Sequence, residues 1–384
     1  MKQKMAMLLV TILVLGLAAC SSSDSTVSSD SSEQKKDETF DDYTRPAIVS
    51  DGEMSIIYLI SNMTDESNIR SERQAAIEAA HRGWDYQVIN YEKEDNFREY
   101  FQNAINQKPT AIIIGITQAF DSYQDLVASA RNAGIGIYSN DNSIIDGVIS
   151  NSTMDNAEAA NLIMEQVIED HGDALKCSVY ELSMSEVMTD RAEAAKAFIE
   201  SSDNGLTLLD SIDLASTGDL NTAGFTLAQT WLQKYGDDLD FIFCGADTPA
   251  MSAAEAISQA GDKTGENTFV AGVDGGSASW NYIRSGTPLK YTYSQPFEYF
   301  THQTFEIISA LQIQGLNPGD EGCPIDKAGG TVTATGIVTT VDNVPEVGAD
   351  ISSVFDYYGG SKDDADAWYN WTDGPGIYTV TDSK

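Results

Sequence analysis

Thr268-Phe269-Val270-Ala271-Gly272-Val273-Asp274-Gly275-Gly276 is a short apolar run that ends in one carboxylate and two glycines. Ser277 follows, placed to open a helix running to about Arg284. A run of this kind reads as a buried parallel strand whose C-terminal end delivers a polar side chain into a crevice. The glycines let the backbone turn sharply and let a ligand come close. Standing alone, the stretch fits equally well a plain strand-to-helix turn with Asp274 in water. What separates the two readings is recurrence: similar strand ends appear along the chain.

Strand and helix patterns alternate from Ser55 onward. Apolar runs at 56–60, 86–90, 111–114 and 135–139 are separated by helical patterns at 67–82, 96–106 and 121–132, with Gly83, Pro109 and Gly134 at their ends. After 147–150 the alternation restarts. Helices are expected at 156–170, 190–200, 222–235 and 249–260, strands at 178–181, 207–212, 241–244, 268–273 and 291–294, and a long helix at 297–314. Repeated βαβ units call for parallel sheets covered by helices on both faces. Two such series overfill one sheet, so the expected fold is α/β with two doubly wound lobes. Polar residues collect just past the strand ends: 62–68, Thr117-Gln118, 140–142, 184–191, Ala246-Asp247, Asp274 and Gln295. Ligands bind outside the carboxyl ends of strands in open α/β sheets, so two facing lobes aim these groups into one cleft. Carboxylates and amides there suit a ligand rich in hydroxyls.

At 384 residues with 22 basic and 59 acidic side chains, the chain carries a net charge of −37. Such a surface repels phosphate backbones and disfavours nucleic-acid binding. Lys2 and Lys4, an apolar run from Met5 to Leu17 and then Leu17-Ala18-Ala19-Cys20 read as an export signal. The run falls short of the roughly 20 residues that span a bilayer. The ending resembles a bacterial lipoprotein signal, which implies that Cys20 becomes a lipidated first residue. Residues 21–32 contain eight serines, and the stretch to Pro46 is polar and acidic, a tether with no core to bury. Cys177, Cys244 and Cys323 remain; the first two lie in or beside apolar strand patterns and read as small core residues, with a Cys177–Cys244 bridge the minor alternative.

Six motifs stand in order along the chain: Tyr138-Ser139-Asn140-Asp141, Met154-Asp155-Asn156, Ala246-Asp247-Thr248-Pro249-Ala250-Met251, Val273-Asp274-Gly275, Ser294-Gln295-Pro296 and the run from Gly336 to Val344. Through them residues 52–343 resemble the ribose- and galactose-binding type of periplasmic substrate-binding protein, which serves ABC importers. The resemblance implies two lobes joined by a three-segment hinge, closing on a ligand. With the signal peptide at 1–20 and the tether at 21–52, it implies an N-terminal lobe from 53–153 and 296–322 and a C-terminal lobe from 154–295 and 323–345, and it leaves an extension at 346–384 uncovered. By position it assigns ligand contact to Asp65, Ser67, Asn68, Asp141, Arg191, Asp274 and Gln295, and the polar strand ends add Gln118 and, secondarily, Asp247. Ser67, Asn68 and Leu220 stand where such proteins often place aromatics, and Ala246 where they often place Asn. Phe120, Tyr138 and Trp280 are candidates for a substitute platform against the ligand, although such rings more often pack in cores or at rims.

The remaining residues weigh towards structure. Asp247 reads first as a cap for the helix opening at Pro249, and Arg191 has a surface ion pair with Glu193 as its alternative. His81, His171 and His302 have no metal-ligand spacing, Asp363-Asp364 lacks the rest of a calcium loop, and no Gly-x-Ser-x-Gly elbow is present. No nucleophile–base pair or metal cluster is visible, so the reading is a binding protein without catalysis or cofactor. It is an exported, membrane-anchored, monomeric solute-binding component of an ABC importer, holding a sugar or sugar derivative and working with a membrane permease. A sensor that presents its ligand to a chemoreceptor or sensor kinase is the alternative. The aromatic extension is expected to pack on the body, on the second lobe above all, with Trp368-Tyr369-x-Trp371 alternatively free for a partner or glycan.

Overall fold

A computed structural model of the protein describes residues 43–201, 205–214 and 219–382. Cys20, the expected signal at 1–20 and the tether up to residue 42 lie outside the described residues. Where the tether was expected to continue, residues 43–52 instead dock on the first lobe. Ala47 and Val49 donate backbone bonds to Gly134 and Gln312, and Asp51 accepts from the Trp84 indole at 2.7 Å. Tyr43 and Val49 supply the apolar contacts that hold this stretch down.

In chain order the first lobe contains β1 (Ser55–Ile60), α1 (Glu66–Arg82), β2 (Asp85–Asn90), α2 (Phe97–Gln107), β3 (Ala111–Ile114), α3 (Gln124–Asn132), β4 (Gly136–Asn140) and β5 (Ser150–Thr153). The second contains α4 (Asn156–His171), β6 (Lys176–Glu181), α5 (Glu186–Glu200), β7 (Thr207–Asp213), α6 (Leu220–Tyr235), β8 (Phe241–Cys244), α7 (Asp247–Ala260), β9 (Phe269–Asp274), α8 (Ser277–Arg284) and β10 (Leu289–Ser294). Helix α9 (Phe297–Ile308) returns to the first lobe, followed by β11 (Gly330–Thr333) and β12 (Ile337–Thr339). Strands β1, β3 and β8 are buried on both faces, which is why they read as unbroken apolar runs.

The sheet orders are β11-β5-β4-β3-β1-β2 and β12-β10-β9-β8-β6-β7. Ladders are parallel except for β12, which runs antiparallel to β10. Each sheet reverses its winding once, between β1 and β3 in one lobe and between β6 and β8 in the other. These reversals open crevices at the strand ends. The chain crosses between sheets three times, after Thr153, after Ser294 and after Thr333. The last crossing corrects the expected boundary at 322/323: β11 pairs with β5 in the first sheet, so the chain leaves that lobe only after Thr333. Gly336 makes this crossing possible, because a Cβ there would sit 2.1 Å from the Ser294 carbonyl oxygen.

Behind the crossings lies a buried cation. Arg70 of α1 makes a two-pronged pair with Glu298 of α9 at 2.7 and 2.8 Å, and donates to the carbonyls of Gly275 and Gln295 at 2.7 and 3.0 Å. One turn earlier, Glu66 accepts from the Ser277 backbone and hydroxyl of the second lobe at 2.7 and 2.8 Å. The rings of Phe297, Trp280 and Phe355 surround the Arg70 guanidinium at 5.0–5.9 Å.

Phe355 belongs to the C-terminal segment, which meets both lobes rather than the second above all. Ile351, Phe355 and Val380 bury Trp280 of α8, and Thr381 donates to Ser277 at 3.0 Å. On the first lobe, Arg73 donates to the Gly376 and Pro375 carbonyls at 2.6 Å each. Trp371 stacks on His81 at 3.6 Å and Trp368 on His302 at 4.4 Å. Both tryptophans are thereby spent on histidines of α1 and α9. Cys177 and Cys244 are free thiols on neighbouring strands. Cys177 is opposite Phe241 and Tyr180 opposite Cys244, a three-residue offset of about 10 Å, too far for a disulfide.

Replacing Arg70 with Met leaves Glu298 buried and unpaired. The expected cost is about 3–5 kcal/mol of unfolding free energy, read from urea denaturation; a loss under 1 kcal/mol would show the pair to be incidental.

Candidate functional site

The two crevices face each other across a cleft of about 370 Å³. From the first lobe, the turn after β1 contributes Asp65, Ser67 and Asn68, the end of β3 contributes Thr117 and Gln118, and the end of β4 contributes Asn140 and Asp141. From the second lobe come Met184, Met188 and Arg191 of the β6–α5 segment, Leu220, and Asp274 at the end of β9. Local chemistry accounts for several of these placements. Asp65 caps α1 by accepting from the Ser67 amide at 3.0 Å. Asn68 is buried beneath the turn and donates to the Asn62 carbonyl at 2.9 Å.

Arg191 is the centre of the cleft. Its side chain is 0% exposed, held through Nε by Asn156 Oδ1 at 2.8 Å and through Nη1 by the Gly245 carbonyl at 3.0 Å. Asp141 of the opposite lobe lies 3.7 Å from Nη2, and Asp274 lies 3.5 Å from Nη1. Those separations are ion pairs without good hydrogen bonds. Nη2 is buried and has no hydrogen-bond partner among the described residues. The surface pairing with Glu193 considered from sequence is replaced by this buried arrangement.

Both aspartates sit on uncommon backbone. Asp141 has φ 56° and Asp274 φ 135°, conformations that persist only when surrounding structure imposes them. Asp141 is fixed by its amide bond to the Ser152 carbonyl and by the Thr153 hydroxyl at 2.7 Å. Asp274 is fixed by Gln295 Nε2 at 3.0 Å and is followed by Gly275 at φ 68°, where a Cβ would strike Ser294 Cα at 2.3 Å. Enclosure pushes the Asp274 carboxyl above the usual carboxylate range; Arg191 pulls it down, while Asp247 and Asp65 push it further up. A third of its side chain still opens on the cleft, so solvent moderates that rise.

Two sequence-assigned contacts do not line the cleft. Asp247 is buried behind Asp274, where Oδ1 accepts from the Thr292 hydroxyl at 2.6 Å and Oδ2 from the Gly275 amide at 2.9 Å. It does not cap its own helix either, since α7 already begins at Asp247 and has no side-chain cap. Burial raises its carboxyl, opposed by those donors and Ser279. Gln295 is fully buried and acts on the cleft only through Asp274. The proposed platform rings also fall elsewhere: Phe120, Tyr138 and Trp280 are core residues. The rings that do line the cleft are Tyr58, Phe297 and Phe300, together with the acids Glu92 and Glu94. Phe297 and Phe300 follow the Gln295-Pro296 crossing directly, which is the one sequence signal that could have found them. Among the described residues no acidic, His or Cys group forms a metal cluster, and no helix is long and apolar enough to cross a membrane.

Residues 57–312 match the family model of a periplasmic binding protein domain. The chain belongs to that family. Among curated proteins no match is found. Solved structures of periplasmic binding proteins share its fold. An ABC transporter solute binding protein from Actinobacillus succinogenes 130z, with bound D-allose, is 19% identical over 76% of this chain and 99% of that one, with a TM-score of 0.65. One from Bacillus halodurans C-125, with bound myo-inositol, is 20% identical over 77% and 97%, with a TM-score of 0.63. A chain of the XylFII–LytSN complex is 18% identical over 75% and 98%, with a TM-score of 0.61.

Asp247→Ala strands the Gly275 amide and the Thr292 hydroxyl. The unliganded protein is expected to lose about 1–3 kcal/mol of stability in urea denaturation. An unchanged midpoint would return Asp247 to the list of ligand contacts.

Proposed function

We propose that this protein is the extracytoplasmic solute-binding component of an ABC importer. It binds a small hydroxylated solute, a sugar or sugar derivative, between its closing lobes, hands it to a membrane permease and has no chemistry of its own. The observation that carries this reading is the buried Arg191, held between carboxylates of opposite lobes with one donor unspent. A ligand oxygen at that donor completes the guanidinium's hydrogen bonding, and hydroxyls donate to Asp141 and Asp274. Asp65, Ser67, Asn68 and Gln118 offer further polar contacts, and the largely buried rings of Tyr58, Phe297 and Phe300 line the same space, where aromatic surface suits ring C–H groups.

Size is consistent with one substituted ring. A cavity of ~150 Å³ takes up benzene, and this cleft is about 370 Å³. The solved relatives with bound D-allose and myo-inositol support the same class of ligand. Lipidation at Cys20, with residues 21–42 as the tether, would keep the monomeric protein beside its permease. The second reading, a sensor that presents its ligand to a receptor, draws support from the occurrence of this fold in the XylFII–LytSN complex.

Thermal unfolding against sugars, polyols, cyclitols and nucleosides tests the reading. A true ligand at 100 times its Kd stabilises the fold by about 2.7 kcal/mol. Asp141→Ala is expected to abolish that shift while the protein remains folded. A response surviving both Asp141→Ala and Asp274→Ala would place the ligand elsewhere. For the anchor, Cys20→Ser is expected to move the protein from the membrane fraction to the soluble fraction of cells; retention on the membrane would refute lipidation.

A further inference from the structure

The cleft is charged in a way that a neutral sugar does not require. Among the described residues, five carboxylates line it (Asp65, Glu92, Glu94, Asp141 and Asp274) against one cation, Arg191. That guanidinium is already shared between Asp141 and Asp274. The other three have no cation at ion-pair distance among the described residues. Asp65 accepts from Ser67 at 2.6 Å, and Glu94 from the hydroxyls of Thr117 and Tyr123 at 2.7 and 3.3 Å, all neutral groups.

We propose that the solute carries a protonated amine on a hydroxylated ring, as in an amino sugar or an aminocyclitol. This rests on the solute-binding reading above and narrows it.

Three arguments lead there. The chain is acidic throughout, but a carboxylate on the open surface is screened by water and salt. Asp65 and Glu92 are exposed and Glu94 is half-buried, so water still reaches them. Lobes closing on a guest would strip that hydration and leave the carboxylates repelling one another, and a cationic guest offsets both costs. A cleft lined by one sign of charge also concentrates ions of the opposite sign at its mouth. Secondly, Arg191 Nη2 is buried and unpartnered, so it calls for an oxygen acceptor that a plain alkylamine lacks. The ligand must therefore combine amine and hydroxyl or ring oxygen. Thirdly, the largely buried rings of Tyr58, Phe297 and Phe300 line the same space, and aromatic rings attract ammonium groups as well as C–H groups. By the same reasoning sugar phosphates and uronic acids are disfavoured, since the one cation lining the cleft among the described residues already faces two carboxylates, although its Nη2 still lacks a hydrogen bond.

The test uses matched pairs on the full-length protein: D-glucose with D-glucosamine, D-galactose with D-galactosamine, and myo-inositol with an inosamine, plus D-glucuronate as the anionic control. In at least one pair the amine is expected to bind roughly tenfold more tightly than its neutral partner by calorimetry, and glucuronate is expected to give no shift. Glu94→Gln keeps an acceptor for Thr117 and Tyr123 and should narrow the amine-to-neutral ratio. Association of the amine should slow as salt rises, because its attraction to the rim is screened. If neutral members bind as tightly as their amines, this inference is overturned while the solute-binding reading stands. If no member of either set shifts the unfolding temperature, both are overturned.

Discussion

One buried guanidinium, that of Arg70, carries the geometry of the whole molecule. It belongs to a helix of the first lobe, yet two of its bonds go to the carbonyls of Gly275 and Gln295, at the threshold of the second. Its charge is met by Glu298. A cation with no exposure cannot relax towards water, so its carbonyl partners are held at fixed positions as long as the pair exists. Gly275 follows Asp274, and the Gln295 side chain orients Asp274. The carboxylate that faces the cleft is therefore set from behind, by an ion pair that does not line the cleft.

The C-terminal segment reinforces the same region. Phe355 covers Arg70, Val380 and Ile351 cover Trp280, and the histidine–tryptophan stacks reach the first lobe. Glu78 shows how tightly this side is built. Burial would raise its carboxyl, but the hydrogen bond to His302 and the charge of Arg82 outweigh that and hold it below the usual range. The segment is thus a strap over the side away from the cleft, in contact with both lobes.

The site divides the work between the lobes. The first brings Asp141, Asn68 and the acids beyond β2, while the second brings Arg191 and Asp274. Neither half alone presents a donor between two acceptors. The cleft's donor and acceptors are thus assembled only where the two lobes face each other.

Much of this was written in local pattern. Apolar runs such as Ala111–Ile114 and Phe269–Asp274, spaced by amphipathic helices and ended by carboxylates or amides, dictate parallel sheets and polar strand ends, because both follow from backbone periodicity and the burial of both sheet faces. Hence Asp65, Ser67, Asn68, Gln118, Asp141, Arg191 and Asp274 were legible as cleft-facing groups. Which strand ends actually reach the solvent in the cleft depends on packing between segments hundreds of residues apart. Asp247 and Gln295 sit at strand ends yet turn inward to Gly275 and Asp274, and β11 joins the first sheet although it follows the returning helix. Arg70, with its partner 228 positions away, carries no local signature at all. A charged residue in a helix reads as solvated until the tertiary structure removes the water around it, and only that structure decided where the two lobes are joined.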